Sequence, residues 1–172
     1  FVSSSGSQAN FRYTVQAGDL SPDLDFHSVD ALAFNGGTIR DAVGNTANRT
    51  LMSPGSAGSL GANAAVVIDT VAPTAPTALA LTPVGGTVVT NKLSATNTNL
   101  TATVTVVAGE ATGGSAMLYL DGTLLATDAT ILSTDSSATF TLGATTSAQL
   151  QALVAGSGIL TVKLADLAGN LS

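Results

Sequence analysis

Ile68-Asp69-Thr70-Val71-Ala72-Pro73-Thr74-Ala75-Pro76 is the stretch from which the organisation of the chain is read. It follows an apolar run and carries two prolines three residues apart. Proline fixes φ and removes an amide donor, so an extended and rather stiff connector is expected here. The 172 residues then divide into a module over 1–70, a linker over 71–76 and a second module over 77–172. Each part is long enough to bury a core.

Upstream of the connector, Phe11, Tyr13 and Val15 alternate with Asn10, Arg12 and Thr14, the period of a half-buried strand. Leu32, Phe34 and Ile39 flank a Gly36-Gly37 turn or bulge, and a Gly- and Ser-rich excursion from Ser53 to Asn63 leads into an expected strand over Ala64–Ile68. Downstream, Leu100, Ala102, Val104 and Val106 alternate with Thr101, Thr103 and Thr105, which predicts a strand with one apolar and one hydroxyl face. Strands over 116–120 and 123–126 flank Asp121-Gly122, a pair suited to the two positive-φ positions of a type I′ hairpin. Further strands are expected through Ala138, Phe140 and Leu142, and through Leu160, Val162 and Leu164. Helical spacing occurs at Leu150, Leu153 and Val154, with Thr146 and Gln149 as a capping box and Gly156 as a stop. The fold class is therefore all-β with one short helix.

Composition narrows function. Charged residues make up 9% of the chain, aromatics 4%, and there is no Trp. Arg12, Arg40, Arg49, Lys92 and Lys163 are too few to neutralise a run of phosphates, and the net charge is −6, so nucleic acid is not an expected partner. Without cysteine there is neither a disulfide framework nor a thiolate metal site. No apolar run approaches the roughly 20 residues that span a bilayer, so membrane insertion is not expected, and any secretion signal is expected outside this segment. All the carboxylates are Asp except Glu110, and short carboxylates in loops suit Asx turns and calcium better than helix surfaces.

One motif occurs twice: Asp41, Gly44 and Asn45 are echoed by Asp166, Gly169 and Asn170. Gly and Asn tolerate positive φ, and the Asp side chain can cap the turn. This loop, with Phe11-Arg12-Tyr13-Thr14-Val15-Gln16-Ala17-Gly18-Asp19, Pro22-Asp23-Leu24-Asp25-Phe26, Asn35-Gly36-Gly37-Thr38-Ile39-Arg40, Ser59-Leu60-Gly61-Ala62-Asn63 and Val67-Ile68-Asp69-Thr70, resembles the bacterial immunoglobulin-like repeats of large type I-secreted adhesins and biofilm-associated proteins. The second module looks like a different subtype from the same arrays. The resemblance covers nearly the whole chain and implies tandem immunoglobulin-like antiparallel β-sandwiches, the first without its opening strands and the second without its closing strand. It also implies a secreted, extracellular location at the cell surface or in a biofilm matrix, with neighbouring modules of the same protein as partners.

In that topology the loops carrying Asp19, Asp23 and Asp25 and the loop carrying Asp166 and Asn170 are expected at one junction beside Asp69. Calcium takes roughly 6 to 8 oxygen ligands, so the expected interdomain calcium site uses Asp69 with some of Asp19, Asp23, Asp25 and Asp166, Asn170 as a further candidate and backbone carbonyls besides, in keeping with how the resembling rods are stiffened. No other cofactor and no catalytic residue is expected. His27 has no nucleophile elbow to serve, and Asp23 with Asp25 reads as metal or turn chemistry ahead of an acid and base pair. The function expected is that of a structural spacer and not an enzyme. Two alternatives stand beside it: a self-associating subunit of an extracellular filament or sheath, assembled by strand exchange, and an accessory module of a secreted glycan-degrading enzyme.

Overall fold

A computed structural model describes residues 1–5, 8–89, 92, 94, 96–142 and 158–172. The helix expected at Leu150, Leu153 and Val154, with Thr146, Gln149 and Gly156, lies outside the described residues. The chain is nearly all β, built from small antiparallel sheets, and divides into two compact units, Phe1–Thr70 and Val71–Ser172.

The first unit holds short elements. Strands β1 (Ser3–Ser5) and β2 (Gln8–Asn10) pair antiparallel, and β3 (Leu20–Ser21) pairs with β4 (Ile68–Asp69). Between them lies a single helical turn, α1 (Leu60–Asn63), capped by the Ser59 hydroxyl, which accepts from the Ala62 N–H at 3.2 Å. Asn35 and Gly36, both at positive φ, close a turn in which the Gly37 N–H donates to the Phe34 carbonyl at 2.7 Å. Two sequence expectations need correction here. Phe11–Val15 joins no ladder, and Phe11, Tyr13 and Val15 remain 60%, 69% and 49% exposed. The expected strand over Ala64–Ile68 contracts to Ile68–Asp69, because the Ala64 N–H is drawn back to the Leu60 carbonyl to close α1. Alternation creates a strand only where a neighbour stands beside it, and none does so for 11–15 among the described residues. Ser59 is the one buried residue described in this unit.

The second unit holds the core. Strand β5 (Thr77–Val84) lies beside β6 (Asn99–Thr105), which pairs on its other side with β9 (Ser137–Leu142). The second sheet runs β10 (Leu160–Ala165), β7 (Ser115–Leu120), β8 (Thr123–Asp128). Leu100, Ala102 and Val104 of β6, Ala138, Phe140 and Leu142 of β9, Ala116 and Leu118 of β7, and Leu164 of β10 form one buried cluster. The two sheets thus share a single apolar interior, as period-2 patterning requires. On the other face of β5-β6-β9 the register sets Thr82, Thr101 and Thr141 in one rank and Ala80, Thr103 and Thr139 in the next. The β7–β8 turn is the expected type I′ pair, Asp121 at φ 49° and Gly122 at φ 80°.

Within the second unit, strand β5 is the described strand that patterning did not signal. It contains Pro83, and its register slips between Thr77 and Ala80, where Ala78 sits at φ 53°. A bulge and a proline suit an edge strand. The outer strand β8 also carries a bulge, opposite Leu118 and Tyr119, and on β9 the Thr139 N–H donates to the Asp128 carboxylate at 3.3 Å.

Candidate functional site

The repeated loop is closed by the same four hydrogen bonds in both units. In the first, the Asp41 N–H donates to the Asn45 carbonyl at 3.0 Å and the Gly44 N–H to the Asp41 carbonyl at 3.1 Å. The Asp41 carboxylate accepts from the Asn45 N–H and the Asn45 Nδ2, both at 2.8 Å. In the second, the corresponding main-chain distances are 3.2 Å for Asp166 to Asn170 and 3.1 Å for Gly169 to Asp166. The Asp166 carboxylate accepts from the Asn170 N–H at 2.9 Å and from Asn170 Nδ2 at 2.8 Å. Gly44 and Gly169 take φ 96° and 90°, and the flanking bridges are equivalent, Arg40 with Thr46 and Ala165 with Leu171. A left-handed backbone at the fourth position admits Gly without strain, which is why the spacing is kept.

The aspartates of the first unit are organised by main-chain donors. Asp25 bridges two loops: Oδ2 accepts from the Gly55 N–H at 2.9 Å, and Oδ1 from the Leu60 N–H at 3.2 Å and the Phe26 N–H at 2.8 Å. Burial works against its charge, but the Gly55 amide, the Ser59 hydroxyl and the Phe26 and Gly61 amides outweigh that and hold its carboxyl below the usual range. A Cβ placed on Gly61 would stand 3.1 Å from Asp25 Oδ2 and 3.2 Å from Asp23 Oδ2, so both carboxylates reach the same glycine. Asp19 Oδ2 accepts from the Tyr13 hydroxyl at 2.8 Å and from the Gln16 N–H at 2.7 Å, and the hydrogen bond to Asp19 raises the Tyr13 pKa. Thr70 Oγ1 donates to the Asp19 carbonyl at 3.0 Å and accepts from the Gly18 N–H at 2.8 Å, while the main chain of Asp69 pairs with Leu20.

Of the six candidate calcium ligands, then, Asp23 and Asp25 are brought to one place, Asp19 and Asp69 flank the Thr70 tie, and Asp166 with Asn170 forms its own turn in the second unit. Among the described residues no three histidine, aspartate or glutamate side chains gather as a ligand set. An ionised carboxylate offers about four lone-pair sites. Asp19, Asp25 and Asp166 each spend two or more on protein donors and retain capacity for a cation only in part. His27 is exposed.

Two features escaped sequence reasoning. Ser59, by capping α1 and meeting Asp25, organises the loop around Gly61, and the Ser-Leu order before a turn was its signal. Glu110 fixes the connector to the second unit: its Oε2 accepts from the Thr74 N–H at 2.7 Å, and the Thr74 amide and hydroxyl hold its carboxyl below the usual range. The first unit also has an open groove of about 580 Å³ lined by Phe1, Phe11, Phe34, Leu32, Ile39 and Arg40, with the Arg49 guanidinium 5.7 Å from the Phe34 ring centre. Comparison with known protein families, with curated proteins and with solved structures finds no match to this chain.

Proposed function

We propose that this chain is a pair of immunoglobulin-like spacer modules of an extracellular bacterial adhesin or biofilm matrix protein, with a mechanical and not a catalytic task. The observation that carries it is the duplicated aspartate–asparagine turn, reproduced with the same donors, acceptors and flanking bridges in two separately compact β units. Repeated local construction is what a modular array needs, since each unit then closes its own turns. The antiparallel sheets of the second unit, packed on one core, support an immunoglobulin-like sandwich. The Glu110 to Thr74 bond supports a connector that is held and not free.

Calcium is the stiffening ion in this proposal. Asp23 and Asp25 supply the nucleus of the ligand set, with Asp19, Asp69, Asp166 and Asn170 as the remaining candidates. Chelation is expected to lower the melting temperature and to shorten the maximum dimension seen by small-angle scattering, and calcium to restore both. Identical curves with and without chelator would remove the ion from the account. The spacer role is tested separately with head-to-tail concatemers of the chain. Their length by electron microscopy should grow in proportion to copy number, whereas growth as a flexible coil would sink the role.

A further inference from the structure

Each of the two sheets in the second unit ends in two outer strands, and three of these four edges carry a device that discourages pairing. Strand β5 has Pro83 and the Ala78 bulge, β8 has a bulge, and the Thr139 N–H of β9 is taken by Asp128. Strand β10 differs. It pairs with β7 in six consecutive register positions without a slip, and its outer side is unpaired by any strand among the described residues. A pairing direction is already set there: the Ser172 N–H donates to the Leu164 carbonyl at 2.9 Å, and Leu171 bridges Ala165 antiparallel. Because Leu164 turns its peptide groups outward, alternation turns those of Val162 and Leu160 outward as well. Cover is also uneven. Leu164, beside Ser172, is 1% exposed, while Val162 and Leu160 pack against the core only partly buried.

The same chain holds a segment of the opposite need. Phe11–Val15 alternates as a strand does but joins no ladder, has no main-chain partner among the described residues, and shows Phe11, Tyr13 and Val15 to solvent, with the Tyr13 hydroxyl on Asp19 and the Phe11 ring on Phe1 as the contacts that pairing would exchange. We propose that the outer edge of β10 accepts Phe11–Val15 from a second copy of this chain, added antiparallel. This goes beyond the spacer role and does not depend on it.

Register follows from side-chain chemistry. Setting Phe11 opposite Val162 and Tyr13 opposite Leu160 turns both aromatics toward the incompletely covered core. It places Arg12 opposite Thr161 and Asn10 opposite Lys163. The register shifted by two, with Tyr13 opposite Val162, would set Arg12 directly opposite Lys163, and like charges in facing positions destabilise a ladder. Donor and acceptor are different surfaces of one chain, so the contact is heterologous and propagates head to tail.

The absence of cysteine makes the register directly testable. Arg12 and Thr161 are both exposed and lie outside the core, so cysteine at either position leaves folding intact. In the proposed register they face each other as a non-hydrogen-bonded pair, the closer of the two kinds, within disulfide reach. Mixing R12C with T161C under mild oxidation is expected to give a disulfide-linked heterodimer, and mixing T14C with T161C to give at least tenfold less. Sedimentation velocity of the unmodified chain should show concentration-dependent growth that Tyr13→Pro abolishes, since proline removes the donor strand's amide. Monomers at every concentration, or equal cross-linking of both mixtures, would overturn the proposal. An edge filled by the chain's own residues gives the first of those results, and failure of the calcium or concatemer experiments leaves this one unaffected.

Discussion

Phe140 and Asp166 are both nearly sealed from solvent, 2% and 7% exposed, and they answer to different physics. Phe140 sits where the two sheets of the second unit meet, so Phe140→Ala should leave a cavity and cost about 3–5 kcal/mol, measurable by urea unfolding. Asp166→Ala strips the acceptors from the Asn170 N–H and Nδ2 and should cost about 1–3 kcal/mol in the same assay. Its counterpart Asp41 is exposed and gives a pH signature instead. The Asn45 side-chain amide first, and then the Asn45 N–H, depress the Asp41 pKa in the folded chain. A depressed folded value means that the turn's stabilisation is present above the unfolded pKa and is lost as pH falls through the folded one. The Asn45 amide resonance should therefore hold its position through the ordinary aspartate range and move only at lower pH. A midpoint at the unperturbed value would contradict the hydrogen bonding. The turn itself was legible in the sequence, because Asp, Gly and Asn at fixed offsets carry their own conformational logic. The partners of Asp25 were not, because Gly55 and Leu60 lie 30 and 35 residues away and contribute main-chain N–H groups that any residue type could supply.

Among elements, legibility followed burial. Strands β6 and β9 alternate between a sealed core face and an open face, so their residue types record the fold. Strand β5 is exposed at most of its positions and bulged, and its sequence records little of its pairing. Phe11–Val15 shows the converse, a strand pattern without a ladder. Glycine matters most at position 114, where a Cβ would overlap the carbonyl of Ala165, the last residue of β10. Gly114→Ala should force β7 and β10 apart and lower the melting temperature by about 10 °C, the shift that a loss of about 2 kcal/mol gives a domain of this size. Gly122→Ala is the control: open space surrounds that site, but its φ of 80° restricts it, so a cost of about 1–2 kcal/mol is expected from conformation alone.

At the scale of the molecule, stability is unevenly placed. The buried apolar cluster lies wholly in Val71–Ser172, and the first unit has Ser59 as its one described buried residue. Removing residues 1–70 should consequently leave the calorimetric transition within a few degrees of the full chain, and a loss of that transition would show that the two units fold as one. The division into two compact units falls at Thr70–Val71, beside the twin prolines, and the richer alternation downstream of them matches where the buried cluster lies. The treatment of the strand margins in the second unit has one last consequence. Among the described residues three rims of that unit discourage pairing and one does not, so the proposed pairing would add copies at that rim alone, giving a row one molecule wide with chemically distinct ends.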